Sequence, residues 1–94
     1  MSKEMERLYK ERIIQDPKIM VGKPTVKGTR IPVELVIQHL AETPDFNDLF
    51  QAFPHLTMED VQACLAYAYV QLERQLERSR RRRIAEASSF TASA

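Results

Sequence analysis

The side chains best suited to catalysis are few in this chain and lie far apart. The histidines His39 and His55 are sixteen positions apart, and neither a second cysteine nor a suitably spaced carboxylate joins them, as a metal site would require. We interpret His39 as a helix-surface residue and His55 as a turn residue. Cys64 falls on the apolar stripe of a predicted helix, which indicates a buried thiol and not a nucleophile. The sequence therefore predicts no enzyme activity, no metal site and no cofactor.

Two further patterns that carry chemistry in other proteins fail here on spacing. Gly22 and Gly28 do not form a phosphate-binding loop, which needs several glycines before a helix and a Lys-Ser/Thr pair. Glu59 and Asp60 are adjacent on a predicted helix and so do not face each other as an acid–base pair. In the first turn of that helix, their negative charge is favoured by the helix dipole.

Four cations in a turn-rich segment are the first candidates for contact with nucleic acid. They are Lys18, Lys23, Lys27 and Arg30. One interpretation is a set of phosphate contacts, which supply most of the non-specific affinity for DNA. The other is the edge of a β-ribbon that its lysines protect against aggregation. The residues alone leave both interpretations open.

The start of the last predicted helix is the second candidate. In a helix-turn-helix this segment enters the major groove, and here it offers Thr57 and Gln62, the latter suited to an adenine edge. Glu59 can accept from a cytosine amino group, but two carboxylates also repel phosphates, and no Lys or Arg lies between positions 33 and 70. If DNA is bound, we expect the ribbon and the arginines at 80–83 to supply the affinity.

The net charge of +1 hides a strong segregation of charge along the chain. The formal charge is +1 over residues 1–12, +3 over 13–32, −6 over 33–70 and +3 over 71–94. An acidic middle therefore lies between two basic flanks. The last flank contains a run that suits nucleic acid, an acidic protein partner or solubility alone: Arg80, Arg81, Arg82 and Arg83.

A chain of 94 residues is long enough for one small domain and too short for two. The lone cysteine suits a reducing cytosol, and no stretch approaches the roughly 20 apolar residues that cross a membrane. We therefore predict a cytoplasmic protein with one domain over residues 1–80. An arginine-rich, disordered tail is predicted over residues 81–94.

Three amphipathic helices are predicted to position these residues. Pro32 suits the first turn of the first helix, and Thr43-Pro44-Asp45 separates it from the second. Each has apolar side chains at the spacing of one helical face. These are Val33, Val36, Ile37 and Leu40 in the first helix, and Phe46, Leu49, Phe50 and Phe53 in the second.

The third helix begins with a capping box of Thr57 and Asp60, beside a hydrophobic staple of Leu56 and Val61. Leu72 and Leu76 continue its apolar stripe past the small body. They indicate a dimer contact, a partner surface or the frayed end of a long helix. The side chains predicted to be buried are Val61, Cys64, Leu65, Ala68 and Leu72.

The segment before these helices, about residues 12–31, predicts a small β-ribbon. Strands are expected over 19–21 and 24–26, with a second turn at 28–29. A lone two-stranded ribbon is barely stable in water, so it must pack on the helices or on a second chain. Residues 3–12 are predicted to form a helical turn or two. The fold class is mainly α: a trihelical helix-turn-helix bundle preceded by a β-ribbon and ending in a long helix.

Five segments in this order resemble the small bacterial domain catalogued as domain of unknown function 433, which is similar to a group of VapB-type antitoxins. The most specific are Gly22-Lys23-Pro24, Gly28-Thr29-Arg30 and Pro54-His55-Leu56-Thr57. The resemblance runs from residue 14 to residue 69, over half of the chain. The matching segments are 16–19, 22–24, 27–33, 53–57 and 59–68.

The resemblance implies a homeodomain-like trihelical fold preceded by a small β-element, with a glycine between the first two helices that this chain lacks. It also implies the antitoxin of a toxin–antitoxin pair, commonly beside a PIN-like ribonuclease toxin. Our hypothesis is a non-catalytic, DNA-binding regulator that acts as a homodimer, with operator DNA as its partner. The long last helix, with Leu72, Leu76 and the arginines at 80–83, is then expected to engage the toxin. The alternative is a protein-interaction module that does not read DNA.

Overall fold

The computed structural model describes residues 3–93, and the side chains of residues 3–19 and 21–85. In this part of the chain the elements are α1 (Lys3–Lys10), β1 (Ile13–Ile14), β2 (Thr25–Val26), α2 (Val33–Glu42), α3 (Phe46–Ala52) and α4 (Met58–Ser93). The protein is thus mainly helical, with a small antiparallel sheet and a long final helix, as the sequence predicts.

Local signals determine where the two short helices begin. Pro32 lies just before α2, with extended backbone, and not within its first turn. Asp45 caps α3 because its side chain accepts a hydrogen bond from the amide of Asn47 at 2.9 Å. The connection from Thr43 to Asp45 therefore joins the two helices without a glycine.

The core lies where α2, α3 and the first part of α4 meet the sheet. The predicted apolar faces of α2 and α3 are confirmed, although Phe46 is exposed. Ile37, Leu40, Phe50 and Phe53 are partly buried against the core. The largest fully buried apolar side chains are Val26, Val36, Leu49, Val61, Cys64 and Val70.

The β-ribbon lies within the predicted segment, but its strands pair differently. Ile13 pairs with Val26 and Ile14 with Thr25, in antiparallel register. The prediction of a strand over 19–21 is wrong, because Met20–Gly22 forms a 3₁₀ turn. The backbone is left-handed at two successive residues, with φ of 56° at residue 21 and 78° at residue 22. Such backbone cannot continue an extended strand.

The N-terminal helix α1 is a full member of the helical body. The rings of Tyr9 and Tyr67 pack edge to face, with 5.1 Å between their centroids. Nη2 of Arg74 donates to Oε1 of Glu6 at 2.9 Å. The trihelical body predicted from the sequence therefore gains a fourth helix, because residues far along the chain hold α1 in place.

The face of α4 that is buried differs from the predicted stripe. Leu65 and Leu72 are exposed, and Ala68 is half-buried. The reason is α1, which packs on the side of α4 that carries Tyr67 and Arg74 and so extends the buried sector in that direction. The buried apolar side chains of α4 are Val61, Ala63, Cys64, Ala66 and Val70.

Helix α4 passes residue 80 without a break, at the point where the sequence predicts the end of the domain. Arginine, glutamate and alanine, which dominate residues 77–87, are strong helix formers. The side chains of residues 86–94 lie outside the described residues, so the disordered tail predicted over 81–94 stays a prediction.

Candidate functional site

Helix α4 begins at a complete capping box. The amide of Thr57 donates to Oδ2 of Asp60 at 3.1 Å, and the amide of Asp60 donates to Oγ1 of Thr57 at 3.1 Å. Two amides at the helix start thus have partners within the chain. The predicted helix start is confirmed. The hydroxyl of Thr57, a predicted DNA contact, is already engaged in this cap.

Asp60 also forms an ion pair with Arg12, whose Nη1 lies 3.2 Å from Oδ1 of Asp60. The Asp60 residue is buried, and the pair joins the backbone before β1 to the start of α4. Its negative charge is therefore opposed at short range by a guanidinium. Of the two carboxylates at this helix start, Glu59 is the one that faces solvent.

Basic side chains flank the helix start on the ribbon side. Lys27 and Arg12 line a shallow depression together with Glu11 and Asp60. Both cations are exposed. The structure therefore brings Lys27, predicted as a phosphate contact, next to the segment predicted to enter the major groove.

A second depression adjoins the first on the α1 side. It shares Arg12 and adds Arg7 of α1 and Gln62 of α4, together with Glu59. Gln62 is exposed, so its amide is accessible to a ligand. We call the whole region the α4-start surface. Its charged and polar residues are Glu4, Arg7, Glu11, Arg12, Lys27, Glu59, Asp60 and Gln62.

Sequence reasoning missed Arg7 and Arg12 in this region. Arg12 acts through Asp60, which is 48 positions away, and no local pattern announces such a pair. Arg7 reaches the site because α1 docks on α4. The position of Arg12 beside a short β-branched segment is only a weak indication of a functional role, since surface arginines are common in such positions.

Of the other predicted phosphate contacts, Lys23 lies apart from the α4-start surface. Nζ of Lys23 is 2.8 Å from Oε1 of Glu34, which lies in the first turn of α2. Lys18 and Arg30 are exposed, and the amide of Lys18 donates to Asp16 in a turn. Lys23, which is paired with Glu34, therefore does not belong to the same basic patch as Lys27.

Lys23 lines a larger groove of about 580 Å³ between α2 and α4. Its floor is mostly apolar, with Val33 and Ile37 from α2 and with Tyr67 and Leu72 from α4. Grooves of this size and character are typical of binding sites for apolar groups.

Beyond the body, α4 presents its predicted partner-binding residues to solvent. Leu72 and Leu76 are exposed, and so are the four arginines at 80–83. Arg81 lies 3.9 Å from Glu77 on the helix surface, a distance at which an exposed ion pair contributes little. This segment is therefore a solvent-facing helix with an apolar side and a basic end.

The surroundings of Cys64 and His39 indicate roles in packing and not in catalysis. Cys64 is fully buried, and burial, with a smaller effect from the charge of Asp60, raises the pKa of its thiol to about 12. Nε2 of His39 lies 2.7 Å from Oδ2 of Asp48, and its ring packs on Phe53. His55 is exposed in the turn before α4.

Among the described residues, no three His, Cys, Asp or Glu side chains are grouped as a metal ion would need. Within the same part of the chain, no helix combines the length and apolar character that crossing a membrane requires.

These features define a small helical domain with a two-stranded ribbon and a long final helix. The family described as "Protein of unknown function (DUF433)" matches residues 13–68, more than half of the chain, and the chain belongs to that family. A protein of Archaeoglobus fulgidus described as uncharacterized is 67% identical over 24 residues, which are 26% of this chain and 67% of that protein. No solved structure matches the chain.

Proposed function

We propose that this chain is a non-catalytic, DNA-binding regulator of the antitoxin type, similar to VapB-type antitoxins and acting as a homodimer in the cytoplasm. The observation that carries the proposal is the α4-start surface. There, Arg7 and Lys27 flank an exposed Gln62 on a capped helix start. In protein–DNA interfaces, cations contact phosphates and fix the register of the protein on the duplex, so that a nearby polar side chain can contact a base.

The ion pair of Arg12 and Asp60 supports this function because it neutralises one carboxylate at the helix start, although Glu4 and Glu11 also line this surface. Two free carboxylates at a helix start would repel the DNA backbone. With Asp60 buried and paired at 3.2 Å, Glu59 is left as the single solvent-facing carboxylate of the first turn. A glutamate in that position can accept from the amino group of cytosine.

The test is binding to the DNA upstream of the chain's own gene, measured across a salt series. We expect Lys27→Ala to lower the slope of log affinity against log salt by about 1, since each phosphate contact releases about one counterion. Lys23→Ala is the matched control, because Lys23 is paired with Glu34 away from this surface. Equal slopes for both variants would contradict the proposed surface.

Base reading by Gln62 has its own measurement. Gln62→Ala should cost about 1–3 kcal/mol on the specific site and much less on random DNA. Gln38→Ala is the control, because Gln38 is exposed on α2, outside the α4-start surface. An equal loss on both DNA sequences would leave Gln62 without a reading role.

The proposed toxin is a PIN-like ribonuclease encoded beside this chain's gene. The exposed arginines at 80–83 support that pairing, since a basic helix end complements an acidic metal site and can occlude it. Co-purification with the neighbouring gene product is the measurement. When all four arginines are changed to Gln, we expect the chain to lose its inhibition of the toxin's ribonuclease activity.

The second candidate function is a protein-interaction module that does not read DNA. The apolar groove between α2 and α4 favours it, since an apolar groove suits a helix or side chain of another protein. A stable complex with the neighbouring gene product, together with undetectable DNA binding at low salt, would select this function over the first.

A further inference from the structure

Helix α4 carries an exposed apolar strip that the body does not cover. Every member is between 44% and 59% exposed, so each leaves about half of its surface in water. We call it the α4 seam, and its residues are Met58, Leu65, Tyr69, Leu72 and Leu76.

The spacing of the α4 seam is that of a coiled-coil seam. Consecutive members are separated by seven, four, three and four positions, which alternates the two core positions of a heptad. The position between the first two members is Gln62, a polar residue on the same line. The remaining sides of the first half of α4 pack on α1 and α2 within the chain, so the α4 seam is the side left for another helix.

We propose that the α4 seam pairs with the α4 seam of a second copy of this chain, with the two helices antiparallel. The pairing is centred between residues 70 and 71. Leu65 then lies opposite Leu76 of the partner subunit, and Tyr69 lies opposite Leu72 of the partner subunit. Each layer joins the two kinds of heptad position, as antiparallel pairs do.

Charge selects the antiparallel direction. The first turn of α4 presents Glu59 to solvent, and its other end presents the arginines at 80–83. In the antiparallel pair these opposite charges meet at both ends of the interface, and the two-fold axis repeats the contact. A parallel pair would instead place four arginines against four arginines, which is unfavourable.

The exposed area is also of the size that pairing needs. Five large side chains that are each about half exposed make a patch of several hundred Å², at the upper end of what soluble monomers leave uncovered. Residues 58–83 span about 39 Å of helix. Two such helices with their flanking side chains approach the roughly 800 Å² per partner of a stable interface.

This pairing does not rest on the DNA contact of the proposed function and competes with it, because the partner helix lies over Gln62 and meets Glu59. The α4 seam pair is therefore a form of the chain separate from the DNA-bound one. A dimer that does not bind the upstream DNA would sink the DNA function and leave the α4 seam pairing intact. A monomer that binds the DNA would do the reverse.

The first experiment measures association of the full chain by sedimentation across micromolar concentrations. We expect a monomer–dimer equilibrium and an increase in the dissociation constant of at least about 100-fold for Leu72→Glu, because the charge would lie in the apolar seam. Leu35→Glu is the matched control, since Leu35 is exposed on α2 outside the seam. A chain that is monomeric throughout, or a dimer that Leu72→Glu leaves unchanged, overturns the proposal and frees the seam for a different protein.

The second experiment tests the direction of the helices by exchange of charge at low salt. Glu59→Arg alone, and Arg80→Glu with Arg82→Glu, should each weaken the dimer by about fivefold. The combination of all three changes should restore it. If the double change at 80 and 82 strengthens the dimer instead, the pair is parallel and the proposed antiparallel arrangement is wrong. Circular dichroism of each variant checks that the body is still folded.

Discussion

The two halves of α4 belong to one continuous helix but are stabilised differently. The first half, residues 58–70, contains no Lys or Arg and has most of its sides covered by α1, α2 and the core. The second half, residues 71–93, contains six arginines, and Leu72, Leu76 and Ile84, among its described side chains, are exposed. Tertiary packing stabilises the first half. The second half has little tertiary packing, so its helical structure depends on the helix propensity of its residues and on its length. Continuity of a helix therefore does not imply that its halves share a role.

The largest expected effect comes from proline in each half. Ala66→Pro should abolish the cooperative thermal transition, since proline in a helix interior costs about 3 kcal/mol or more and Ala66 is buried in the body. Ser79→Pro should reduce the helical signal in circular dichroism while the transition of the body, followed by tyrosine fluorescence, persists. If Ser79→Pro also abolishes the transition, the second half is part of the cooperative unit and the comparison fails.

The next effect separates a partly buried ion pair from an exposed one. Asp60→Asn should lower the free energy of unfolding by about 1–3 kcal/mol, because it weakens both the cap and the pair with Arg12. Glu77→Gln, the matched change in the second half, should alter it by less than about 0.5 kcal/mol. Urea denaturation provides both values. Equal costs would mean that the pair of Arg12 and Asp60 is no stronger than a surface contact.

The smallest effect concerns the thiol of Cys64 and pH. Its pKa is raised from 9.0 to about 12 in the folded chain, by burial first and by Asp60 second. Because the folded pKa exceeds the unfolded one, this stabilisation is fully present below pH 9 and is lost as pH rises toward 12. At about pH 9.5, the free energy of unfolding should be lower than at neutral pH by no more than about 1 kcal/mol on this account. Cys64→Ala should remove that part of the dependence.

A labelling experiment extends the same comparison to reactivity. Native Cys64 should resist iodoacetamide at mildly alkaline pH, since a buried neutral thiol is a poor nucleophile. A cysteine introduced at exposed position 79, in a Cys64→Ala background, should react at the rate of a free thiol. Rapid modification of Cys64 in the native chain would show that the first half opens easily.

The beginnings of the helices were predictable because their signals are local. A capping box acts within one turn, so the pair Thr57 and Asp60 was recognised from neighbouring residue types. The segment Thr43-Pro44-Asp45 was recognised as the separation before α3, whereas the cap by Asp45 was not predicted. The apolar faces of α2 and α3 followed from spacing alone. Lys27 and Gln62 were likewise predicted as candidate contacts, although their roles stay predictions.

The features that the sequence did not reveal depend on contacts between distant segments. Ile13 and Ile14 pair with a strand on the far side of the Met20–Gly22 turn, and a β-branched residue with left-handed backbone at position 21 is not predicted by propensity. The burial of Ala63, Ala66 and Val70 was not predicted either, because α1 docks on the side of α4 that carries Tyr67 and Arg74, whereas Leu65 and Leu72 are exposed.

The sequence by itself therefore determined where the helices begin, which residues are apolar and how charge is segregated along the chain. The tertiary structure decided which face of α4 is buried, that Asp60 is an internal partner of Arg12, and that Lys27 and Gln62 lie on one surface. The physical reason is range. Caps and periodicity act over a few residues, whereas helix docking and ion pairing depend on residues that folding alone brings together.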